Sequence, residues 1–566
     1  MTGSPEKVVN RSGVATSVNL SHQADFGTEV CSDTALRTRT TSRHWLLLAA
    51  LLVGFVARFP GAFWGYNFPF GWYGHHVDEY AHLVNAEMLI NPLLPPRWPP
   101  HPYPKGLAAH VAVPVLAMHA AQGKLLITNR NQLGAIPEPI KLIFGGRIVS
   151  VLYGTATILI VFFLAKRLFR DRRVPLLSAW IIALGGLHVS QSHYFVADVT
   201  GLFWLLLGLC LLFSELELPE GLHFLVAAAF CFGVAFGTKL VIAGLPTLAL
   251  VALGRPPRLA RAIYPSVFFA MGVVTVNLAY YTPVEMFKTF AKGISDPYQF
   301  SWFSSLLLYL IELPSIISLP VLLLAFVGTV LLAKKLFQCQ EVIRLRAILM
   351  VVVLPLAIQI YSILFELDHF PRHMVPLIPW MAMTSAWSLA KLADLLKSRG
   401  LRPAIAVVPV FLYLGFFVYD GERVFFHEPR NEAARWLQKN VTPGTEVAWT
   451  GHNWIREYRH VDFPEIRPPF LVVEMHTANH YVSGMGWKNS FPGDYRRIFA
   501  SRSQARINEL QSIFKATSEY REVARFSEGY FMPEYTLADR LIGNRSRNYV
   551  AEIVIFQKGT MARPAS

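Results

Sequence analysis

Cysteine and charge are what this sequence has least of. Cysteine occurs 4 times in 566 residues, which excludes the disulfide-dense scaffolds of small secreted domains. Charged residues make up 16% of the chain against 53% hydrophobic ones, and the mean hydropathy is +0.37. Soluble globular proteins carry about 25% charge, so a soluble multidomain enzyme is excluded as well. Acidic residues are the scarcer sign, 37 against 52 Lys and Arg, for a net charge of +15. That excess does not imply nucleic acid as a partner. The cations fall in short clusters between apolar runs, where the cytoplasmic loops of membrane proteins collect them. No internal repeat is visible, and residues 1–36, rich in Ser, Thr, Val and Asn without apolar periodicity, read as a disordered tail.

What the chain does have is a succession of apolar segments. The first runs from Trp45 to about Phe59, and others follow at roughly 145–165, 174–189, 199–213, 222–237, 240–253, 262–280, 316–333, 347–364, 373–391 and 403–419. Several are shorter than the usual ~20 residues of a span. They predict a polytopic α-helical membrane protein with about 11 transmembrane helices. Arg37, Arg39 and Arg43 precede the first span and place the N-terminus in the cytoplasm. With that start, the clusters Lys166–Arg173, Arg255–Arg261, Lys334–Arg346 and Lys397–Arg402 all fall inside, and only the acidic stretch Ser214–Gly221 runs against the rule.

Parity then decides two ambiguous regions. If the apolar segment Gly106–Ala121 crossed, every later basic cluster would lie outside. It therefore reads as a surface-lying or re-entrant helix in a large structured outer loop, 60–144, which a Pro-rich run at 91–100 keeps extended. An odd span count leaves 420–566 outside. That region reads as an α/β domain, with a helix at Glu432–Asn440, strands at Glu446–Thr450, Phe470–Val473 and Val550–Phe556, and a helical stretch around Ser503–Phe514. The expected organisation is thus a cytoplasmic tail, 1–44, a transmembrane module, 45–419, and an extracytoplasmic domain, 420–566, in the plasma (inner) membrane. Cys31 and Cys339 fall inside and Cys210 and Cys231 within spans, so no disulfide is expected outside.

On this topology, polar residues that are hard to explain structurally share the outer face: Asp78 and Glu79, the stretch Ser190–Asp198, Gly237-Thr238-Lys239, and Asp368–His373 with Arg372. Lys239 lies between two apolar segments with almost no loop to solvate it, and an intramembrane cation is functional by default. Lys239 and Arg372 are suited to holding an anionic phosphate near the interface while a carboxylate takes a proton from an incoming hydroxyl. Plainer readings stand beside these. Asp78 and Glu79 are also what solvated loop carboxylates would look like, Asp198 can cap the helix starting at Val199, Lys239 can snorkel, and Arg372 can be a flank charge. Trp64, Tyr66, Trp72 and Tyr73 read as an interfacial belt. His75, His76, Asp78 and His82 have the residue types of a divalent-metal site, but without a recognised zinc signature no metal residue is assigned and no cofactor is expected with certainty. A divalent cation bridging carboxylate and phosphate stays open.

In their order, these segments resemble a known superfamily, the membrane glycosyltransferases of the C fold, and within it the bacterial relatives of dolichyl-phosphate-mannose–protein mannosyltransferase (family 39). The residues that carry the resemblance are His76-Val77-Asp78-Glu79, Pro102-Tyr103-Pro104-Lys105-Gly106, Gly146-Arg147 through Phe169, Leu187 through Asp198, Gly237-Thr238-Lys239 and Arg372 through Pro379. The resemblance implies transfer of a sugar from a polyprenyl-phosphate-linked donor to a glycan, lipid or protein acceptor at the outer face of the bilayer, with inversion. Carried over, Asp78 is the base, with Glu79 beside it in the acidic motif. Asp198 orients acceptor or sugar, Lys239 and Arg372 bind the donor phosphate, and Lys105 and His193 join the substrate-binding set. A transporter or flippase of an anionic lipid-linked sugar is the alternative. It expects internally repeated halves and polar residues near the membrane midplane.

Overall fold

The computed structural model describes residues 33–63, 77–90, 105–121, 139–217, 222–239, 241, 243–253, 258–277, 302–337, 348–364, 371–450, 458–461, 463, 466–475, 512–513, 519–542 and 552–559. The chain divides into two units, Met1–Trp45 and Leu46–Ser566. The first contributes the opening turns of one helix, and all packing described below lies within the second.

The apolar segments fold as helices. They are α1 (Asp33–Arg58), α2 (Val77–Ile90), α3 (Gly106–Ala121), α4 (Pro139–Leu168), α5 (Val174–Ala183), α6 (Gly186–Gln191), α7 (Ala197–Glu217), α8 (His223–Lys239), α9 (Leu245–Leu253), α10 (Arg258–Asn277), α11 (Trp302–Ile317), α12 (Leu319–Phe337), α13 (Leu354–Leu364), α14 (Ile378–Ser398) and α15 (Ala404–Phe426). Among the described residues five helices are long and apolar enough to cross a membrane: His44–Phe63, Lys141–Leu168, Ala197–Leu216, Arg258–Asn277 and Ala404–Asn440. A sixth candidate is the pair Tyr309–Ile317 and Leu319–Lys334, bent by 109°.

Three local differences from the sequence reading have physical causes. Helix α1 starts at Asp33 rather than near Trp45, because extending an established helix gains one hydrogen bond per residue fixed. The segment expected to span 174–189 is broken into α5 and α6 at Gly185, whose backbone is extended. A helix not expected at all, α11, precedes α12, and the two are separated by Ser318 at φ 82°.

The core is built from apolar side chains facing inward, among them Ala50, Ile158, Ile181, Leu206, Phe232, Ile317, Val321 and Met383. Large apolar residues such as Leu52, Leu323, Phe326, Leu412 and Phe416 face out. An apolar exterior around an interior that holds buried charges is the pattern of a chain solvated by lipid.

Ion pairs sort the helices by their ends. The end of α7 meets the start of α10 through Glu215 and Arg261, 2.6 Å apart. The start of α5 meets the end of α14, where Arg173 Nη1 donates to Asp394 Oδ1 at 2.7 Å. The acidic stretch that begins in the last turn of α7 therefore carries the carboxylate partner of one of the basic clusters. At the opposite end the start of α7 meets the end of α8 through Asp198 and Lys239, and the end of α10 joins them: Asn277 Nδ2 donates to Gly237 O at 3.2 Å.

Helix α15 runs from beside Arg402 toward this second end and continues into α16 (Pro429–Asn440) and a five-stranded sheet. The strands are β1 (Glu446–Trp449), β2 (Arg459–His460), β3 (Phe470–Glu474), β4 (Tyr520–Ser527) and β5 (Glu552–Lys558), in the order β2-β1-β3-β5-β4. β1 is parallel to β2 and β3, while β5 is antiparallel to β3 and β4. Alternation puts Val447, Trp449, Val472, Ile553 and Ile555 against Ala433, Ala434 and Leu437 of α16. The other face buries Ala448, Leu471, Val473, Val554 and Phe556. Three of the five strands lie where alternation placed them. β2, β4 and a last helix, α17 (Pro533–Ile542), were not expected, and most of the helical stretch expected around Ser503–Phe514 lies outside the described residues.

Candidate active site

The start of α2 carries the acidic pair. Asp78 is its second residue, but the side chain of Asp78 lies outside the described ones, as do His75 and His76. Glu79 is fully buried and bound on both oxygens. Arg147 Nε donates to Oε1 and Nη2 to Oε2, each at 2.7 Å, and the Phe195 amide donates to Oε1 at 2.9 Å. A bidentate guanidinium pair is among the strongest directional contacts a carboxylate makes. Glu79 therefore ties α2 to α4 and to the segment that runs into Asp198.

Asp198 sits in the first turn of α7, where a carboxylate suits the positive end of the helix, and its charge is met by Lys239, the last residue of α8. The Lys239 side chain is 31% exposed against 5% for Asp198.

Lys105 precedes α3 and is buried. Its amide donates to Asn277 Oδ1 at 3.0 Å, and Asn277 in turn binds Gly237 and Val273 carbonyls. The next residue, Gly106, packs so closely on α8 that a Cβ there would stand 2.6 Å from the Thr238 Cα. Only glycine permits that approach, and it brings Lys105 next to the Gly237-Thr238-Lys239 turn. Lys105, Asp198 and Lys239 are thus one neighbourhood at one end of the helices, and Glu79 anchors it.

His193 is fully buried on the same segment, with Nε2 3.1 Å from Glu422 Oε2. Burial pushes its pKa down to about 3, and the nearby charges of Arg58 and Arg147 act in the same direction. The ring is therefore neutral at pH 7, and it links the segment to α15 rather than facing an open cleft. Arg372 is half-buried in the turn Pro371–Leu377, which rests against α6, α7 and α11. Asp368 and His369 lie outside the described residues. Among the described residues no group of three or more His, Cys, Asp and Glu is placed to hold a metal ion.

Two contributors were given no site role from the sequence: Arg147, quoted there only within the segment that carries the resemblance, and Asn277. The argument that flagged Lys239, a polar group in an apolar run, applies to both, since Arg147 follows Phe144-Gly145-Gly146 and Asn277 follows Val273–Val276.

Residues 141–286, which include Arg147, Asp198, Lys239 and Asn277, match the family described as dolichyl-phosphate-mannose-protein mannosyltransferase. Over those residues the family resemblance holds. The mannosyltransferase match leaves out Asp78, Glu79, Lys105 and Arg372. The undecaprenyl phosphate-alpha-4-amino-4-deoxy-L-arabinose arabinosyl transferase of Pseudomonas aeruginosa is 39% identical over 75 residues, 13% of this chain and 14% of the relative. Its counterpart in Pseudomonas paraeruginosa matches to the same extent. The chain thus spans about 14% of the length of the curated relatives it matches. Among solved structures, ArnT from Cupriavidus metallidurans bound to undecaprenyl phosphate is similar at 16% identity and a TM-score of 0.48, over 92% of this chain and 99% of that one. Archaeoglobus fulgidus AglB, in complex with an inhibitory peptide and a dolichol-phosphate, is similar at 11% identity and a TM-score of 0.47, over 92% of this chain and 89% of that one.

Proposed function

We propose that the protein is a glycosyltransferase that moves a sugar from a polyprenyl-phosphate-linked donor to a hydroxyl acceptor at the outer face of the membrane, with inversion at the anomeric carbon. The observation that carries this reading is the convergence of the acidic start of α2, through Glu79, Arg147 and the Phe195 amide, with the cationic ends of α3 and α8. The family match over 141–286 and the partial relatives that act with undecaprenyl phosphate support the donor class.

In this mechanism Asp78 removes the acceptor proton and the acceptor oxygen forms a bond to the anomeric carbon. The glycosidic bond to phosphate breaks, and its electron pair goes to the phosphate oxygen. Lys239, Lys105 and Arg372 bind the phosphate, where negative charge builds as the bond breaks. Asp198 orients sugar or acceptor and holds Lys239 in place. Glu79 serves as a positioning residue rather than a second base, because both its oxygens are engaged. The full topology belongs to the same proposal: about 11 spans, with loop 60–144 and residues 420–566 outside and the N-terminus in the cytoplasm. The pairs Glu215–Arg261, Arg173–Asp394 and Asp198–Lys239 lie at helix ends, while Arg147 stands inside α4 and is engaged by Glu79.

The test is a mass-spectrometric screen of purified protein against polyprenyl-phosphate sugars, with Asp78→Asn beside the wild type. A general base contributes about 10²–10⁴ in rate, so the variant should lose turnover by that factor while binding donor almost normally. A folded Asp78→Asn protein that transfers at the wild-type rate would remove Asp78 from the mechanism.

A further inference from the structure

After β4 the chain returns from the sheet to the helices as a short strap, 528–535, whose last residues open α17. Three sets of contacts hold it there. Asp420 of α15 is buried, and its Oδ2 accepts the amides of Phe531 and Met532 at 2.8 and 2.7 Å. Arg423, one turn on, binds Glu528 and the Gly529 carbonyl and stands 3.9 Å over the Phe531 ring.

Glu534 reaches across to the broken helix. Its Oε1 accepts the Leu319 amide at 3.0 Å and the Tyr413 hydroxyl at 2.7 Å. Leu319 is the first residue of α12, directly after Ser318 at φ 82°. Its amide is one of the orphan donors of a helix start, and a carboxylate there also meets the positive end of the helix. A residue 215 positions away thus caps the helix that begins at the 109° bend.

Tyr535 and Tyr530 lead to the site itself. The Tyr535 hydroxyl donates to the Phe417 carbonyl at 3.0 Å and lies 3.1 Å from where a Cβ on Gly186, the first residue of α6, would stand. Tyr530 packs on Tyr194 and Val196 together with Val424 and Phe425. Helix α11, against which α17 rests, also rests against α6 and the turn bearing Arg372. The segment 186–198 is therefore gripped on one side by Glu79 through the Phe195 amide and on the other by the strap.

We propose that the strap 528–535 is a positioning device for the segment 186–198 that ends in Asp198, and that Glu534 locks it by capping α12 across the bend. The C-terminal sheet is then a working part of the site rather than an appendage. Only the activity arm of the test rests on the transfer reaction proposed above.

The experiment compares full-length Glu534→Ala and Glu534→Gln in detergent or bilayers. Gln keeps an acceptor oxygen for Leu319 and Tyr413, and Ala does not. Hydrogen exchange over 186–198 and 319–323 should rise about tenfold or more in the Ala variant and stay near wild type in the Gln variant. Turnover should fall by about tenfold in the Ala variant and donor KM should move with it, because Lys239 is held by Asp198 at the end of the loosened segment. If Glu534→Ala does not fold, Tyr535→Phe removes only the hydroxyl at Phe417 and Gly186 and should loosen 186–198 to a smaller degree. The proposal is overturned if faster exchange stays within 528–542, if turnover is unchanged, or if the Gln variant fails as badly as the Ala variant. Absence of transfer in the wild type would sink the glycosyltransferase reading and leave the exchange result to decide the strap.

Discussion

Lys239 is partly exposed where Asp198 meets it at the α7 start. A charge-assisted contact to a donor phosphate contributes about 1.5–3 kcal/mol. Lys239→Met should therefore weaken donor binding by roughly 10–100-fold and also slow transfer, because the phosphate gains charge in the transition state. Arg372→Lys should retain part of the function, since it keeps charge and loses the planar fork. Donor titration and single-turnover kinetics separate the two effects, and normal donor use by Lys239→Met would move the phosphate site elsewhere. His193 gives a second residue-scale expectation. Its folded pKa of about 3 lies below its ordinary 6.5, so the unfolded chain takes up a proton first as pH falls. This contribution to stability is complete above pH 6.5 and is lost progressively toward about pH 3. At ~1.4 kcal/mol per pH unit, the loss is about 2 kcal/mol by pH 5. Thermal unfolding at pH 7.5 and 5 should show that acid sensitivity shrinking in His193→Gln, and an identical acid profile in the variant would count against a buried neutral ring.

At the scale of elements, the site depends on how closely α3 can approach α8. A Cβ on Gly106 would stand 2.6 Å from the Thr238 Cα and 2.8 Å from the Gly237 carbonyl oxygen, both backbone atoms that cannot swing aside. Gly106→Ala must push the two helix ends apart. Overpacking of this kind costs about 1–3 kcal/mol, and here it also shifts Lys105 away from Lys239. The expected outcome is a lower melting temperature together with weaker donor binding, measured on the same preparation. Unchanged donor affinity in a destabilised variant would separate Lys105 from the phosphate site.

For the whole molecule, the ion pairs Glu215–Arg261 and Arg173–Asp394 mark one end of the helices, and Asp198–Lys239 marks the other. On the proposed topology, with the basic clusters inside, the first end is cytoplasmic and the second is outside. Single cysteines at Lys124 and Lys166 should then label from opposite sides of sealed vesicles. Labelling of both from one side would break the topology and with it the outer-face assignment of the reaction.

The sequence by itself determined the solvent of this protein, the order of most of its helices, and several of the residues that meet at one end. Those follow from composition, from apolar run length and from the scarcity of water around a lysine between two spans, all of which are local properties of the chain. It also indicated α16, β1, β3 and β5 of the sheet, because alternation and turn residues are local as well. Only the tertiary structure decided that Glu79 is engaged by Arg147 and the Phe195 amide, that Glu215 belongs with Arg261, and that Glu534 caps a helix 215 positions earlier. A single sequence gives the charge of a side chain but not its partner. When that partner lies tens or hundreds of positions away, the packing of the helices chooses it, and that choice separates a carboxylate that can move a proton from one that holds the site in place.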